Sequence, residues 1–266
     1  MIAIIASGLD AAGLNIRDKL LGQLKWEPES RFDGRIVYKA DGKDGLLYTL
    51  STELVSREHL DREIKADFFI FISRHASKYP VPALTAHAIG NWGAAEHGGS
   101  SHKLVPTSAV LLKRAVKLLS SEAVAIGFDS FQEATHHGPL LGTPAIFVEI
   151  GSTEKEWTDS QAGEAAARCV VKLLDDAKFS GRVAVGIGGL HNMPSFKRWI
   201  VDSDVAISHT CPKYCLKDLD EQMMKQAISK TVEEVDLCLL DWKGMGFEKH
   251  RIVELLQRMG IAFEKN

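Results

Sequence analysis

Short runs of apolar and β-branched residues alternate with amphipathic segments along almost the whole chain. The apolar runs predict strands over residues 2–6, 35–39, 45–50, 68–73, 84–89, 123–128, 145–150, 183–187, 205–209 and 235–240. The amphipathic segments predict helices over residues 11–24, 57–66, 108–120, 159–177, 194–201, 216–230 and 246–259. Ahead of the fourth helix, Thr153 and Glu156 fit a capping box, although Thr158 or Asp159 could equally begin that helix.

The alternation of strands and helices is typical of an α/β fold. Residues 68–72 and 145–150 are nearly continuous hydrophobic runs, as strands are when both faces of their sheet are covered. We therefore predict a mixed, mostly parallel sheet flanked by helices on both faces. No internal repeat, low-complexity segment or linker divides the sequence, so we expect residues 1–266 to form a single α/β catalytic domain. Its most unusual stretch is a His/Gly-rich loop at about residues 87–103.

Composition and charge narrow the possible functions. The 266 residues are 45% hydrophobic and 25% charged, values typical of a globular protein with a sizeable core. No stretch approaches the roughly 20 apolar residues of a membrane span, the first residues do not resemble a signal peptide, and the four cysteines are too scattered for a disulfide framework. We expect a cytoplasmic protein with neither a membrane nor an obligate protein partner. With a net charge of −3 and no basic run, a nucleic-acid partner would need a local basic patch.

Histidines crowd into the segment LTAHAIGNWGAAEHGGSSHK. It holds His87, His97 and His102, three of the ten histidines of the chain, together with four glycines. A glycine-rich loop can turn these imidazoles towards one point, and three neutral imidazoles are a common ligand set for zinc that leaves a position open for water. We predict that these three residues bind zinc. Because their spacing matches no compact zinc signature, a lid whose histidines hydrogen-bond the substrate is the alternative.

Three further residues with catalytic potential lie at or after predicted strands, where the ligands of α/β folds bind. They are His75, His136 and Glu149, and we predict a catalytic role for each. A carboxylate such as Glu149 at the end of an apolar strand is costly unless it is paired or functional, and desolvation brings its pKa towards the range of a general base. If residues 134–138 are extended, only one of His136 and His137 can face the site. We assign His136 to the site and His137 to packing.

A second set of residues is predicted to bind the substrate. Lysine and arginine side chains near these loops suit phosphate, a tryptophan suits stacking on a base, and the turn in GIGGLH can present backbone N–H groups to a ligand. That turn has only part of the dinucleotide-binding spacing, so a tight structural turn is its alternative. The predicted residues are Arg74, Trp92, Lys103, Gly188 and His191, with Lys78 and Lys213 as further phosphate-binding candidates.

Several long segments together resemble the archaeal and plant type of D-aminoacyl-tRNA deacylase. They are FISRHAS, LTAHAIGNWG with EHGG, FQEATHHGP, PAIFVEIGSTEKEW and GIGGLH, and they lie between about residues 68 and 215. The resemblance implies an enzyme that hydrolyses the ester between a D-amino acid and the 3′ end of tRNA, with D-aminoacyl-tRNA as its partner and zinc as its cofactor. It also implies a fold similar to nucleoside phosphorylases and peptidyl-tRNA hydrolases. It assigns no metal ligands.

The candidate residues suit the chemistry that the resemblance implies. Ester cleavage needs an activated water, from zinc or from a histidine with Glu149, and a stabilised oxyanion, for which backbone N–H groups near Gly138, Gly151 or Gly188, or a histidine, are candidates. Two alternatives stay open. One is a nucleoside phosphorylase-like transferase or a metallopeptidase on a similar scaffold. The other is a non-catalytic tRNA-binding module, which would have little use for so many imidazoles.

Overall fold

The computed structural model describes residues 1–77, 80–176 and 178–266. Its strands are β1 (Ile2–Ser7), β2 (Trp26–Phe32), β3 (Arg35–Ala40), β4 (Gly45–Leu50), β5 (Phe68–Ala76), β6 (Ala83–Ala88), β7 (Gly90–Asn91), β8 (Lys103–Leu104), β9 (Asp129–Gln132), β10 (Ala145–Ser152), β11 (Arg182–Ile187), β12 (Val205–Cys211), β13 (Leu237–Leu240) and β14 (Phe263–Lys265). Its α-helices are α1 (Ala11–Gln23), α2 (Ala109–Ile126), α3 (Glu154–Trp157), α4 (Ser160–Leu173), α5 (Lys197–Asp202), α6 (Glu221–Ser229) and α7 (Lys249–Arg258). Short 3₁₀ turns lie at Leu54–Ser56, Leu60–Arg62, Pro194–Phe196, Lys213–Asp218 and Gly246–Glu248.

The larger sheet has eight strands in the order β2-β3-β4-β1-β5-β10-β6-β9. The four neighbouring strands β4, β1, β5 and β10 are parallel, whereas β6 runs antiparallel to β10 and β9 runs parallel to β6. Helices α1, α2 and α4 pack on one face of this sheet in a large apolar core. The turns at Leu54–Ser56 and Leu60–Arg62 pack on the other face. The predicted α/β class with a mixed, mostly parallel sheet is confirmed.

A second, fully parallel sheet has the order β12-β11-β13-β14. Helices α6 and α7 contribute to a separate apolar core on this sheet. Strand β12 lies beside the chain that follows β9, where the amide of Thr135 donates to the carbonyl of Thr210 at 3.1 Å. This contact brings the loops after β11 and β12 next to the larger sheet. None of the described helices combines the length and the apolar character needed to cross a membrane.

Two predicted elements are wrong. The helix predicted at residues 57–66 is replaced by the 3₁₀ turn at Leu60–Arg62. The strand predicted at residues 123–128 is instead the end of α2, because its alternating small apolar residues also suit a helix face. Gly127 then ends α2 in the left-handed conformation, with φ at +72°. The strand β9 therefore begins only at Asp129.

Most of the other elements agree with the prediction to within a few residues. The capping box of Thr153 and Glu156 is present, but it begins the short helix α3, whereas Asp159 caps the longer α4. The last residue of the helix predicted at residues 159–177 lies outside the described residues. Strand β2 was missed, and its burial explains why: only its two end residues are partly buried, so it has no apolar run.

Candidate active site

Alternate residues of β5 and β10 bring polar side chains to one face of the larger sheet. Ser73 and His75 follow Phe71 at every second position of β5, and Glu149 follows Phe147 in the same way on β10. The register pairs Glu149 with Ser73 across the two parallel strands. Antiparallel β6 adds His87 opposite Phe147, and its imidazole stacks on the phenyl ring at 5.1 Å between ring centroids. The sheet itself therefore groups these side chains.

The segment after β9 brings three more residues to the same place. The amide of Glu133 donates to the carbonyl of Ala86 at 3.1 Å, so this segment continues alongside β6. His136 then forms an isolated bridge with Ile89. The rings of His136 and His137 lie 4.2 and 4.9 Å from the ring of His87. We call His87, His136 and His137 the histidine cluster.

Glu133 is a fully buried carboxylate that connects several imidazoles. Its Oε2 atom lies 3.0 Å from Nδ1 of His75 and 2.9 Å from Nε2 of His191, with Nε2 of His136 at 3.9 Å. Burial alone would raise the pKa of Glu133, but the hydrogen bonds from His191 and His75 hold that pKa well below its usual range. Burial opposes the charge on His75 too, yet Glu133 outweighs it and raises the pKa of His75 to about 9. Glu133 and His75 therefore form a buried ion pair.

Glu149 is the second buried carboxylate of the site. Ser73 donates a hydrogen bond to its Oε1 atom at 2.6 Å. Its Oε2 atom lies 3.7 Å from Nε2 of His87 and 3.9 Å from Nδ1 of His75. Burial lowers the pKa of His87, but the interactions with Glu149 dominate and leave that pKa raised. Glu149 thus links the histidine cluster to the His75–Glu133 pair.

The members of the histidine cluster are all oriented by backbone carbonyl groups. The Nδ1 atoms of His87, His136 and His137 lie 3.0, 2.7 and 2.6 Å from the carbonyl oxygens of Ala88, Ala134 and Gly138, respectively. A carbonyl only accepts, so each neutral ring keeps its proton on Nδ1 and its lone pair on Nε2. Burial and the neighbouring imidazoles hold the pKa of His136 well below normal and lower that of His137 to about 3.

Two buried atoms of the site have no hydrogen-bond partner among the described residues. They are Nε2 of His87 and Oε1 of Glu133. Buried polar atoms are normally satisfied, so such atoms indicate a ligand or a reacting group. Three groups of residues bring their ligand atoms within 4.8 Å of one another: the histidine cluster, then Glu133 with His136 and His191, and finally His75 with Glu133 and Glu149.

Two cavities meet at these residues. The first, of about 380 Å³, extends past Trp92 to Tyr214 and Lys217, and we call it the tyrosine cavity. The second, of about 460 Å³, extends to Asp10, Glu53 and Arg74, and we call it the arginine cavity. Both are lined by His97, His136, His137 and His191. A substrate that reaches from one cavity into the other therefore passes the buried imidazoles and carboxylates.

The structure brings together all three residues predicted as catalytic, His75, His136 and Glu149. The prediction for His137 is wrong, however, because its ring faces the site and lies 4.3 Å from that of His136. The assignment of one ring to each face assumed an extended chain. His137 instead has a left-handed backbone, with φ at +44°, and this turn presents both rings to the site.

The predicted zinc ligands are not brought together. His87 is in the histidine cluster, but neither His97 nor His102 belongs to any group of close ligand atoms among the described residues. His97 is exposed at the rim of both cavities. His102 is exposed on a turn, and its backbone carbonyl accepts a hydrogen bond from Gln226. The backbone of this loop, and not its imidazoles, faces the site. For example, the carbonyl of His97 accepts a hydrogen bond from the amide of Gly138.

The predicted substrate-binding residues have different positions. His191 lines both cavities, and Arg74 lines the arginine cavity but is paired with Asp10 and Glu53 at 3.2 and 3.5 Å. Trp92 is only 1% exposed and its indole N–H donates to Thr210, so it is a core residue and not a stacking platform. Lys103 is exposed on β8 and lines neither cavity. Lys78 lies outside the described residues.

The glycines proposed as oxyanion donors are already used by the fold. The amide of Gly188 donates to Cys211 at 2.8 Å, and that of Gly138 donates to His97 at 2.9 Å. Gly151 lies within β10, between its partners on β5 and β6. Gly188 therefore belongs to a structural turn, with φ at +95°, and these backbone N–H groups are not available to a ligand.

Sequence reasoning missed two central residues. Glu133 was not considered, although it stands in FQEATHHGP and, like Glu149, is a carboxylate next to apolar strand residues. Tyr214 was also missed, and its hydroxyl lies 3.0 Å from Nδ1 of His191. The position of Glu133 in the sequence is enough to indicate a functional carboxylate. Tyr214, by contrast, reaches the site only through the packing of β12 against the larger sheet.

Comparisons with known proteins agree on one family. A family model described as D-aminoacyl-tRNA deacylase matches residues 62–264. The D-aminoacyl-tRNA deacylase of Pyrococcus abyssi is 37% identical to this chain, and the alignment covers 100% of both proteins. That of Thermococcus kodakarensis is 37% identical over 99% of each. That of Methanosarcina mazei is 35% identical over 99% of this chain and 92% of its own.

One solved structure has the same fold over the full length. It is the crystal structure of a conserved protein of unknown function, and it superimposes with a TM-score of 0.91 at 29% sequence identity. The superposition covers 100% of this chain and 95% of the other. The arrangement of the two sheets is therefore shared by an experimentally determined structure.

Proposed function

This chain belongs to the D-aminoacyl-tRNA deacylase family, and we propose that it hydrolyses the ester of D-aminoacyl-tRNA where the two cavities meet. One observation carries the location: the buried imidazoles and carboxylates converge at the residues that line both cavities. In this reaction water adds to the ester carbonyl, an oxyanion forms, and the bond to the ribose oxygen breaks. The products are a free D-amino acid and tRNA.

The His75–Glu133 pair suits stabilisation of the oxyanion. His75 is held as an imidazolium by Glu133 at 3.0 Å, so it offers a positive charge inside a buried site. A fixed charge in such an environment stabilises a developing negative charge far better than water does. We assign His75 to this role and Glu133 to the role of fixing the charge and orientation of His75.

His191 suits the proton transfer to the ribose oxygen. Its Nε2–H donates to Glu133 at 2.9 Å, and the hydroxyl of Tyr214 donates to its Nδ1 at 3.0 Å. The Glu133 carboxylate fixes the ring through Nε2, and the ring is partly exposed where the two cavities meet. The Tyr214 hydroxyl would take the proton lost by the attacking water as it passes its own proton to Nδ1 of His191. The reverse transfer would deliver a proton to the ribose oxygen as the ester bond breaks.

The histidine cluster fits zinc. Its three rings have Nδ1 fixed on carbonyl groups, so each ring in its neutral form presents the lone pair on Nε2, as in histidines that bind metals. Nε2 of His87 has no hydrogen-bond partner among the described residues and would release its proton on binding a metal, and the ligand atoms of the cluster lie within 4.8 Å of one another. Zinc held there would supply a Lewis acid and lower the pKa of a water molecule. We therefore propose His136 and His137, not His97 and His102, as ligands beside His87.

The arginine cavity suits the amino acid. Asp10 is only 3% exposed, and with Glu53 it surrounds the guanidinium of Arg74. An α-ammonium group entering this cavity would find carboxylate partners on a rigid frame, since Asp10 also caps α1. An enantiomer that leaves its ammonium unpaired loses on the order of a few kcal/mol, which is enough for about a hundredfold discrimination.

The deciding experiment measures deacylation of one aminoacyl-tRNA prepared with the D- and with the L-amino acid. We expect hydrolysis of the D-form at least about a hundredfold faster than that of the L-form. Equal rates would contradict the proposed function. A parallel assay after exhaustive chelation tests zinc: activity should fall and return with added zinc, and full activity without metal would remove zinc from the proposal.

A further inference from the structure

Three turns pack against one another at the carboxyl ends of β11, β12 and β13. The loop of residues 188–191 packs at Gly188 against Asp241 and Met245. The amide of Lys213 donates to the carbonyl of Gly189 at 2.9 Å, which joins the turn Lys213–Asp218 to the same loop. Arg251 at the start of α7 donates to the carbonyls of Leu216 and Leu219, so the turn Gly246–Glu248 is held beside it. We call these three turns, together with Trp242, Lys243 and the two lysines that contact the Trp242 ring, Lys249 and Lys265, the rim surface.

The rim surface exposes unusually large apolar side chains. Phe247 is 104% exposed, Tyr214 is 53% exposed and Leu190 is 49% exposed. Eight large hydrophobic side chains are exposed in the described part of the chain, and three of them lie on these touching turns. Single exposed hydrophobic residues need no explanation, whereas a group next to a reaction site indicates a contact with a ligand.

The same surface carries positive charge. The ammonium groups of Lys265 and Lys249 lie 3.8 and 5.2 Å from the ring centre of Trp242. Lys243 and Lys213 are exposed, and none of these four lysines forms an ion pair with a described residue. Of the nearby acids, Glu248 pairs with Arg251 and Glu264 pairs with Arg182. Asp218 and Asp241 form no ion pair with a described residue, so the lysines outnumber the unpaired carboxylates.

We propose that the rim surface binds the single-stranded 3′ end of tRNA, with bases stacked on Phe247 and Tyr214 and phosphates near the lysines. The inference rests on the proposed function and adds the docking surface. Exposed aromatic rings among unpaired cations are the combination by which proteins hold single-stranded nucleic acid. A protein partner would not need four lysines without acidic partners around its aromatic contacts, and the local patch gives a chain of net charge −3 a surface that attracts RNA.

The position of the rim surface gives the RNA a path. Tyr214 both belongs to the rim surface and lines the tyrosine cavity, where its hydroxyl contacts His191. A strand bound across Phe247 and Tyr214 would therefore place its terminal nucleotide in the tyrosine cavity. The ester would then lie beside His191 and the histidine cluster, and the amino acid would extend into the arginine cavity.

The test compares two substrates, D-aminoacyl-tRNA and the small ester 3′-O-(D-aminoacyl)adenosine, which lacks the upstream nucleotides. For Phe247→Ala, the ratio of kcat/KM for tRNA to kcat/KM for the small ester should fall by roughly tenfold, because one base loses its stacking contact. Lys243→Glu should lower the same ratio and reduce the salt dependence of binding. The effect should appear in KM.

Matched controls lie away from the rim surface. Val124→Ala removes another exposed apolar side chain, in a separate cavity beside Lys197 and Asp202, and Lys25→Ala removes an exposed lysine beside Glu27 and Asp41. Both variants should keep the wild-type ratio. If Phe247→Ala leaves the ratio of the two kcat/KM values unchanged, whether both values stay normal or both fall equally, the proposal is overturned.

Direct binding separates this proposal from the proposed function. Fluorescence anisotropy with a labelled single-stranded RNA that ends in CCA requires no ester hydrolysis. Weaker binding by Phe247→Ala than by Val124→Ala would support the rim surface even if the wild-type protein cleaved neither ester. Identical affinities of these two variants for the RNA would refute it, whatever the outcome of the deacylation assay.

Discussion

The histidine cluster and the loop of residues 94–102 are both rich in imidazole, but they hold their side chains in opposite ways. In the cluster, His87 comes from β6 and His136 and His137 come from the segment after β9, and all three rings lie within 4.9 Å of one another. In the loop, His97 and His102 are five positions apart in sequence, and both are exposed. Convergence of separate strands, not density along the chain, builds the site.

The histidine cluster and the loop also differ in how their imidazole rings are oriented. Each ring of the cluster is fixed by a carbonyl group within 3.0 Å of its Nδ1 atom, so the free lone pair points in one direction. The loop histidines contribute their backbone instead: the carbonyl of His97 accepts from Gly138, and the amide of His102 donates to Gly93. The loop thus supports the segment of His136 and His137 from outside.

The largest effect should come from Glu133→Gln, which keeps the shape of the side chain but removes its charge. Turnover of D-aminoacyl-tRNA should fall on the order of a thousandfold, because His75 loses the partner that keeps it charged. The pKa of His75 should fall from about 9, which an NMR titration of its ring would measure. Glu156→Gln is the matched control, since Glu156 is also buried but belongs to a capping box. Near-normal turnover by Glu133→Gln would contradict the assigned role.

The next effect tests the cluster itself. His136→Ala and His137→Asn should each lose zinc and lower turnover by about a hundredfold or more, while the melting temperature changes little. Asparagine is chosen for His137 because it tolerates the left-handed backbone at φ +44°. Metal analysis and deacylation together decide the matter. Full zinc content in both variants would remove these residues from the metal site, and His250→Ala, an exposed histidine on α7, is the control.

Much of the site could be predicted because a carboxylate or an imidazole at the end of an apolar strand is costly to bury unless it is paired or functional. His75, Glu149 and His87 occupy regular strand positions, and their common face follows from the two-residue period of β-structure. The direction of β6 could not be predicted, since nothing in residues 83–88 distinguishes a parallel from an antiparallel neighbour. That direction places His87 opposite Phe147 and allows the cluster to form.

Two of the errors share one physical cause. The strand predicted at residues 123–128 and the separation of His136 from His137 were both read from local patterns. Gly127 and His137 then adopt left-handed backbones that such patterns do not encode, and each changes the direction of the chain just before or within FQEATHHGP. Tertiary contacts, such as those of Thr135 with Thr210, select these conformations.

A smaller effect is expected at the rim of the cavities. His97 is exposed but lines both cavities, so His97→Ala can remove at most a contact with the substrate. One hydrogen bond of about 1 kcal/mol corresponds to a roughly fivefold loss in kcat/KM. Steady-state kinetics and zinc analysis of the same preparation would measure it. A hundredfold loss with depleted zinc would restore His97 to the metal site and weaken the contrast between the loop and the cluster.

The smallest effect is expected for His102, whose side chain differs most from those of the histidine cluster. Its side chain is exposed and lines neither cavity, and its backbone is left-handed with φ at +55°. His102→Asn tolerates this conformation and keeps the backbone bonds to Gly93 and Gln226. Turnover and zinc content should remain within about twofold of the wild type, and the free energy of unfolding within about 0.5 kcal/mol. Loss of zinc from this variant alone would mean that the loop folds inward when metal binds, and the histidine cluster would then be incomplete without it.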